Sequence, residues 1–215
     1  MKLFVFATPL IIALLIALAI KKSDLKKEQD AEEFFEKERK SNFVKKKPLD
    51  SLNYVEVPDK FYEYSYSKLI QANEHPEAIE KAVDQLMKLK DAKMVNFLGK
   101  TNTDLKLEYG TGNLEILMEY DQNFTSLITC LEEIAEAALV VDKSYAKEIL
   151  EFSINIGSDI SSTYKNLLNI YMEESSKDML AAKKEKLIFI AKSLNSPMSS
   201  SIVRYIEQAG QEAEA

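Results

Sequence analysis

The sequence predicts an all-α protein: an N-terminal transmembrane helix, a charged helical stalk and an antiparallel helical-hairpin domain. Three observations lead to this fold class. Residues 3–20 form an apolar run without a charged residue, and glycines and prolines separate the segments that follow. Those segments place apolar residues three and four positions apart, as one face of a helix requires. Apart from a short stretch after Pro48, none alternates as a strand does, so no sheet is expected.

The apolar run is long enough to cross a bilayer. Its eighteen residues, at about 1.5 Å each, make a helix of about 27 Å. Lys21 follows it directly, and further basic residues continue to Lys40. Because basic flanks stay in the cytoplasm, we expect a single-pass cell-membrane protein with its N-terminus outside and its C-terminal domain in the cytoplasm.

A cleaved secretory signal is the alternative to a retained anchor. Residues 17–19 read Ala-Leu-Ala, which satisfies the small-x-small rule for a cleavage site. The helical part would then be an exported protein.

Composition divides the chain into five predicted parts. They are an anchor at 1–22, a charged juxtamembrane stalk at 23–47, an extended strap that ends in a short helix or continues as a strap at 48–74, a helical domain at 75–208 and a flexible tail at 209–215. Within the stalk, Phe34 and Phe35 are expected to fold back on the helical domain. Contact with lipid headgroups and pairing of two stalks are the alternatives for these two rings.

Helix-start and helix-stop residues define the predicted helical domain. Pro76 is typical of a first helical turn, and the longest periodic segment runs from Leu114 to Val141. Gly157 is typical of a helix end. The apolar residues of 94–98 are expected to prolong the helix of Pro76 or to form a second one.

Composition also argues against several classes of function. The chain has 28 Lys and Arg against 35 Asp and Glu, a net charge of −7, whereas binding of nucleic acid needs a basic face. His75 is the one histidine and Cys130 the one cysteine, so zinc clusters and internal disulfides are excluded. His75 is expected at a helix cap or on the surface, and Cys130 in the core. We therefore expect no catalytic residue, cofactor, metal site or small-molecule substrate.

Two helix pairs repeat at an interval of thirty-three residues. The apolar positions Leu131, Ile134, Ala135 and Ala138 recur as Tyr164, Leu167, Leu168 and Tyr171. Residues 127–194 thereby resemble tetratricopeptide repeats, which are helix pairs of about 34 residues. The layout of anchor, stalk and helical domain is also similar to that of small single-span bacterial membrane proteins.

The tetratricopeptide resemblance implies a concave face lined by the first helix of each pair. By the family pattern, six polar residues would form a protein-interaction face: Thr129, Glu132, Glu136, Ser162, Lys165 and Asn169. We expect a membrane-anchored cytoplasmic helical protein-interaction module with no catalytic activity. Its expected partners are the lipid bilayer, through residues 3–20, and an unidentified protein. The alternative is a structural or regulatory subunit of a larger membrane-associated assembly.

Overall fold

The computed structural model describes the backbone of residues 2–209 and the side chains of residue 16 and residues 18–209. These residues form ten α-helices and no β-strand, which confirms the all-α class. Apart from residue 209, the predicted flexible tail lies outside the described residues.

The helices follow in chain order as α1 (Lys2–Ser41), α2 (Asp59–Glu63), α3 (Ser67–Ala72), α4 (Pro76–Lys88), α5 (Asn102–Tyr109), α6 (Leu114–Val141), α7 (Lys143–Asn155), α8 (Ser161–Glu174), α9 (Lys177–Ser193) and α10 (Ser199–Gln208). A short 3-10 turn, Thr111–Asn113, precedes α6. The chain divides into two compact units, Met1–Pro48 with Thr101–Leu114 and Leu49–Lys100 with Glu115–Ala215. The first unit holds α1 and α5, and the second holds the other helices apart from the first residue of α6.

The predicted transmembrane anchor requires correction. Within the described part of the chain, no helix combines the length and the apolar character that crossing a membrane requires. In the part of α1 whose side chains are described, only a few apolar residues precede Lys21, and charged residues recur from there to Lys40. Most side chains of residues 3–20, on which the prediction depended, lie outside the described set. The finding contradicts both the single-pass anchor and the predicted cell-membrane localisation with a cytoplasmic C-terminal domain.

In the first unit, the carboxyl end of α1 is held to α5 by charged hydrogen bonds. The Glu38 carboxylate accepts a hydrogen bond from the Thr103 hydroxyl and another from the Lys106 ammonium. A capping box closes the start of α5: Thr101 Oγ1 accepts from the Asp104 backbone N–H at 3.2 Å, and the Asp104 carboxylate accepts from the Thr101 N–H at 2.9 Å. The start of α5 is thereby fixed, and its side chains hold the carboxyl end of α1.

The two phenylalanines of the predicted stalk are exposed on α1. Phe34 is 56% exposed and Phe35 is 70% exposed, and their rings contact each other edge to face at 5.9 Å. The burial expected from a fold-back is therefore not observed.

The core of the second unit is built around one apolar face of α6. Five of its residues on that face have no exposed surface: Leu127, Leu131, Ile134, Ala135 and Ala138. Burying a Leu or Ile side chain contributes about 1.5–3 kcal/mol to the free energy of folding. The helix α7 packs against α8, and α9 packs against both α8 and α10, so the later helices extend the same core.

Residues 94–98 are not helical, contrary to the prediction. Tyr54 and Val95 form an isolated antiparallel β-bridge, and the Val55 N–H donates to the Met94 carbonyl at 2.9 Å. Because these backbone groups find partners in a distant segment, Met94 and Val95 are buried without forming a helix. The apolar residues of this stretch therefore serve the core from an extended chain.

A buried tyrosine network attaches the segment that begins at α2 to α7. The Tyr66 hydroxyl donates to the Phe61 carbonyl at 2.5 Å, and the Tyr145 hydroxyl lies 2.8 Å from that of Tyr66. Since the Tyr66 proton is used on Phe61, Tyr145 is the donor to Tyr66. The Tyr64 ring stacks on that of Tyr145 at 3.5 Å. Burial raises the pKa of Tyr66 to about 12, which keeps this donor protonated.

The donor directions in this network predict unequal costs for two similar substitutions. Tyr66→Phe leaves the Tyr145 hydroxyl and the Phe61 carbonyl without partners, so we expect a loss of about 1–3 kcal/mol in the free energy of unfolding. Tyr145→Phe leaves the Tyr66–Phe61 bond intact and should cost about 1 kcal/mol or less. Urea unfolding followed by circular dichroism measures both losses.

Tyr62→Phe is the matched control for these variants. The Tyr62 hydroxyl has no hydrogen-bond partner among the described residues, so its removal should change stability by no more than about 0.5 kcal/mol. Equal losses for Tyr66→Phe and Tyr145→Phe would contradict the assigned directions.

Candidate functional site

The predicted interaction residues lie on α6 and α8, which are neighbours in the second unit. Glu132 of α6 accepts a hydrogen bond from the Thr163 hydroxyl of α8. On one side α4 and α6 border a cleft, and on the other α8 packs against α10. The helices α4, α6, α8 and α10 therefore follow one another as a row.

The structure distributes the six predicted residues over different environments. Four of them are exposed, namely Thr129, Glu136, Lys165 and Asn169. Ser162 is half-buried, and Glu132 is buried at 7% exposure. Thr129 lines the cleft between α4 and α6, whereas Lys165 lines a groove between α8 and α10. The structure thus places Thr129 and Lys165 in two different clefts and Glu132 in a contact between helices, whereas Glu136 and Asn169 are exposed and line neither cleft.

Glu132 joins two helices rather than facing an open surface. One of its carboxylate oxygens accepts from Thr163, and the other is buried without a hydrogen-bond partner. Burial raises the pKa of Glu132, hydrogen bonds from the Ser162 and Thr163 hydroxyls oppose that rise, and the Glu136 charge adds to it. A buried carboxyl group in this position holds α6 beside α8.

The cleft between α4 and α6 has a volume of about 440 Å³, and both polar and apolar side chains line it. Lys81 of α4 and Glu133 and Thr129 of α6 are among its lining residues. Cys130 also lines it but is only 3% exposed, and its thiol donates to the Leu127 carbonyl at 3.2 Å. Burial raises the pKa of Cys130 to about 12, so the thiol stays protonated and unreactive.

The groove between α8 and α10 also has a volume of about 440 Å³ but carries a different charge. Tyr164 and Ile202, 0% and 2% exposed, are the most buried residues of its lining. Lys165 and Arg204 contribute its charged groups. The Lys165 ammonium lies 5.1 Å from the centroid of the Tyr205 ring, close enough for a cation–π contact. This groove is therefore apolar at its base and positively charged at its rim.

Sequence reasoning missed the contribution of α10. It treated that helix only as a further core element, although Arg204 and Tyr205 line the groove. The available signal was the spacing of Ser201, Arg204 and Gln208 by three and four positions, which places them on one face of a helix. What the sequence did not specify was the neighbour of that face.

The side chains that the structure describes include no group of three or more His, Cys, Asp or Glu residues placed to hold a metal ion. The absence of catalytic residues and cofactors stays a prediction, because nothing in the geometry tests it. His75 stands at the N-cap position of α4 without a side-chain capping bond.

Comparisons of the chain with family models, with curated proteins and with solved structures found no match. The tetratricopeptide resemblance accordingly stays a prediction.

Glu132→Gln is expected to remove a pH dependence of stability. The pKa of Glu132 in the folded chain is raised above its ordinary value of 4.5, so the folded state keeps a proton that the unfolded chain has released. The contribution of this carboxyl group is therefore greatest at acid pH and falls as the pH rises from about 4.5 through the raised pKa. The urea concentration at the midpoint of unfolding, measured from about pH 4 to about pH 8, should decline less with rising pH in the variant than in the wild type.

Glu133→Gln is the matched control, because Glu133 is exposed one position further along α6. It should keep the wild-type dependence on pH. A Glu132→Gln profile parallel to that of the wild type would show that this carboxyl group titrates normally.

Proposed function

We propose that the chain is a helical protein-interaction module without catalytic activity. Its binding surface is the exposed side of the helix row α4, α6, α8 and α10. The observation that carries this proposal is the pair of clefts between neighbouring helices of the row, each of about 440 Å³. Each cleft is lined by one of the predicted interaction residues, Thr129 or Lys165.

The chemistry of the surface favours a peptide or protein as the ligand. Its exposed groups include hydroxyl, amide, carboxylate and ammonium groups, which can hydrogen-bond the backbone and side chains of an extended segment. Glu136 and Asn169 add such groups on the two middle helices of the row, α6 and α8. A partner can therefore make contacts along the row as well as in the clefts.

The surface rests on a close-packed core, which supports a preformed binding site. The buried faces of α6 and α8 include Leu131 and Leu168 at 0% exposure, so neither helix can turn without opening the core. Glu132 contributes by joining α6 to α8 and is not itself a contact residue in this proposal. Binding then needs little ordering of the module, which limits the entropy that association costs.

Site-specific photo-crosslinking tests the proposal. A photoreactive phenylalanine derivative in place of Asn169, irradiated in an extract of the source cells, should give discrete products with one or a few proteins. The matched control carries the same group at Glu185, which is exposed on α9 and therefore lies outside the helix row. We expect products at position 169 that are absent at position 185.

A triple variant makes the test quantitative. In this second experiment the photoreactive group replaces Glu136, and the product is compared with and without three further substitutions. These are Thr129→Ala, Lys165→Ala and Asn169→Ala, which together should weaken the product at least tenfold. Each exposed change should cost no more than about 0.5 kcal/mol of stability, so the fold is retained. Identical products at all positions, or none at any, would argue against an interaction surface on this row.

A further inference from the structure

We infer that the groove between α8 and α10 binds an acidic peptide segment, one with Asp or Glu beside an apolar side chain. The inference rests on the proposed function and specifies the partner chemistry at one of its two clefts. It depends on the charge of the groove rim, on one buried hydroxyl and on the apolar base.

No ion pair among the described residues neutralises the two cations of this groove. Lys165 and Arg204 are both exposed, and neither forms an ion pair with any residue that the structure describes. The described lining contains no Asp or Glu, whereas the α4–α6 cleft is lined by both Lys81 and Glu133. The α8–α10 groove is therefore complementary to a carboxylate.

The positive charge of the groove is opposite in sign to the net charge of the chain. A net charge of −7 repels an acidic segment at long range. Recognition of such a segment then requires cations that are concentrated in one place and not already neutralised. Elsewhere in the second unit, Lys60 is paired with Glu148 and Lys147 with Glu174, both within 2.6 Å. Lys165 and Arg204 differ from these two lysines in having no ion-pair partner among the described residues, and they differ from other unpaired lysines in lining one groove together.

A hydroxyl group in the groove lacks a partner. Ser161 lines the groove, and its Oγ is buried with no hydrogen bond to any described residue. A buried polar atom without a partner is rare in native proteins, and a ligand is one way to satisfy it. A carboxylate or a peptide carbonyl that enters the groove can accept this proton.

The base of the groove accounts for the apolar part of the ligand. Tyr164 and Ile202 are buried there, and Met198 is 43% exposed beside them. The contact of the Lys165 ammonium with the Tyr205 ring restrains that side chain, so less rotamer entropy is lost when a carboxylate binds. A volume of about 440 Å³ lies within the range of ordinary ligand pockets.

Peptide selection on the full chain tests the inference. A phage-displayed library of random peptides is panned on the wild-type protein, and selected peptides are synthesised with a fluorescent label for anisotropy titrations. We expect enrichment of Asp and Glu next to aromatic or aliphatic residues. The double variant Lys165→Glu and Arg204→Glu should bind these peptides at least tenfold more weakly.

The matched control is the double variant Lys68→Glu and Lys192→Glu. Both lysines are exposed outside the groove, and the change in net charge is the same. This variant should bind within about twofold of the wild type, because neither lysine lines the groove. Ser161→Ala should weaken binding severalfold without lowering the melting temperature, because its hydroxyl has no partner in the free chain.

Several outcomes would overturn the inference. They are enrichment of neutral or basic peptides, no enrichment, and equal weakening by the two double variants. Cross-links at position 169 distinguish the two proposals. If they form while acidic peptides fail, only the ligand class is wrong, and if both fail, the interaction module is wrong as well.

Discussion

Burial of one apolar face of α6 is the constraint on which the second unit depends. Leu127, Leu131 and Ile134 are inaccessible to solvent, and the surrounding core includes side chains of α4, α7 and α8. Once that face is buried, the rotation of α6 about its axis is fixed. Thr129 and Glu133 then necessarily point toward α4, so the position of the cleft follows from the packing of the core rather than from a separate structural device.

The two clefts of the row have the same volume but different chemistry. The one between α4 and α6 balances Lys81 against Glu133, and the one between α8 and α10 carries Lys165 and Arg204 alone among charged residues of the described lining. An extended partner that occupies both would have to present different groups to each. Charge at one end and neutral hydrogen bonding at the other would fix its direction along the row.

Local signals in the sequence located helices, whereas contacts between helices required the structure. The bounds of α6 and the start of α4 at Pro76 agree with the sequence, because proline and apolar spacing act within one or two turns. Residues 94–98 were misassigned because their pairing with Tyr54 joins distant segments. Glu132 was assigned to an open face because periodicity along α6 does not reveal which of its residues α8 covers. The contribution of Arg204 was missed for the same reason.

The environment of Cys130 has a consequence for measuring motion. It is the chain's single cysteine, it lies between α4 and α6, and its pKa is raised to about 12. A thiol reagent can therefore modify it only during excursions that separate these helices and admit water. The rate at which the reagent modifies Cys130 in the unaltered protein would then report how often the cleft opens. A ligand that bridges α4 and α6 would lower this rate.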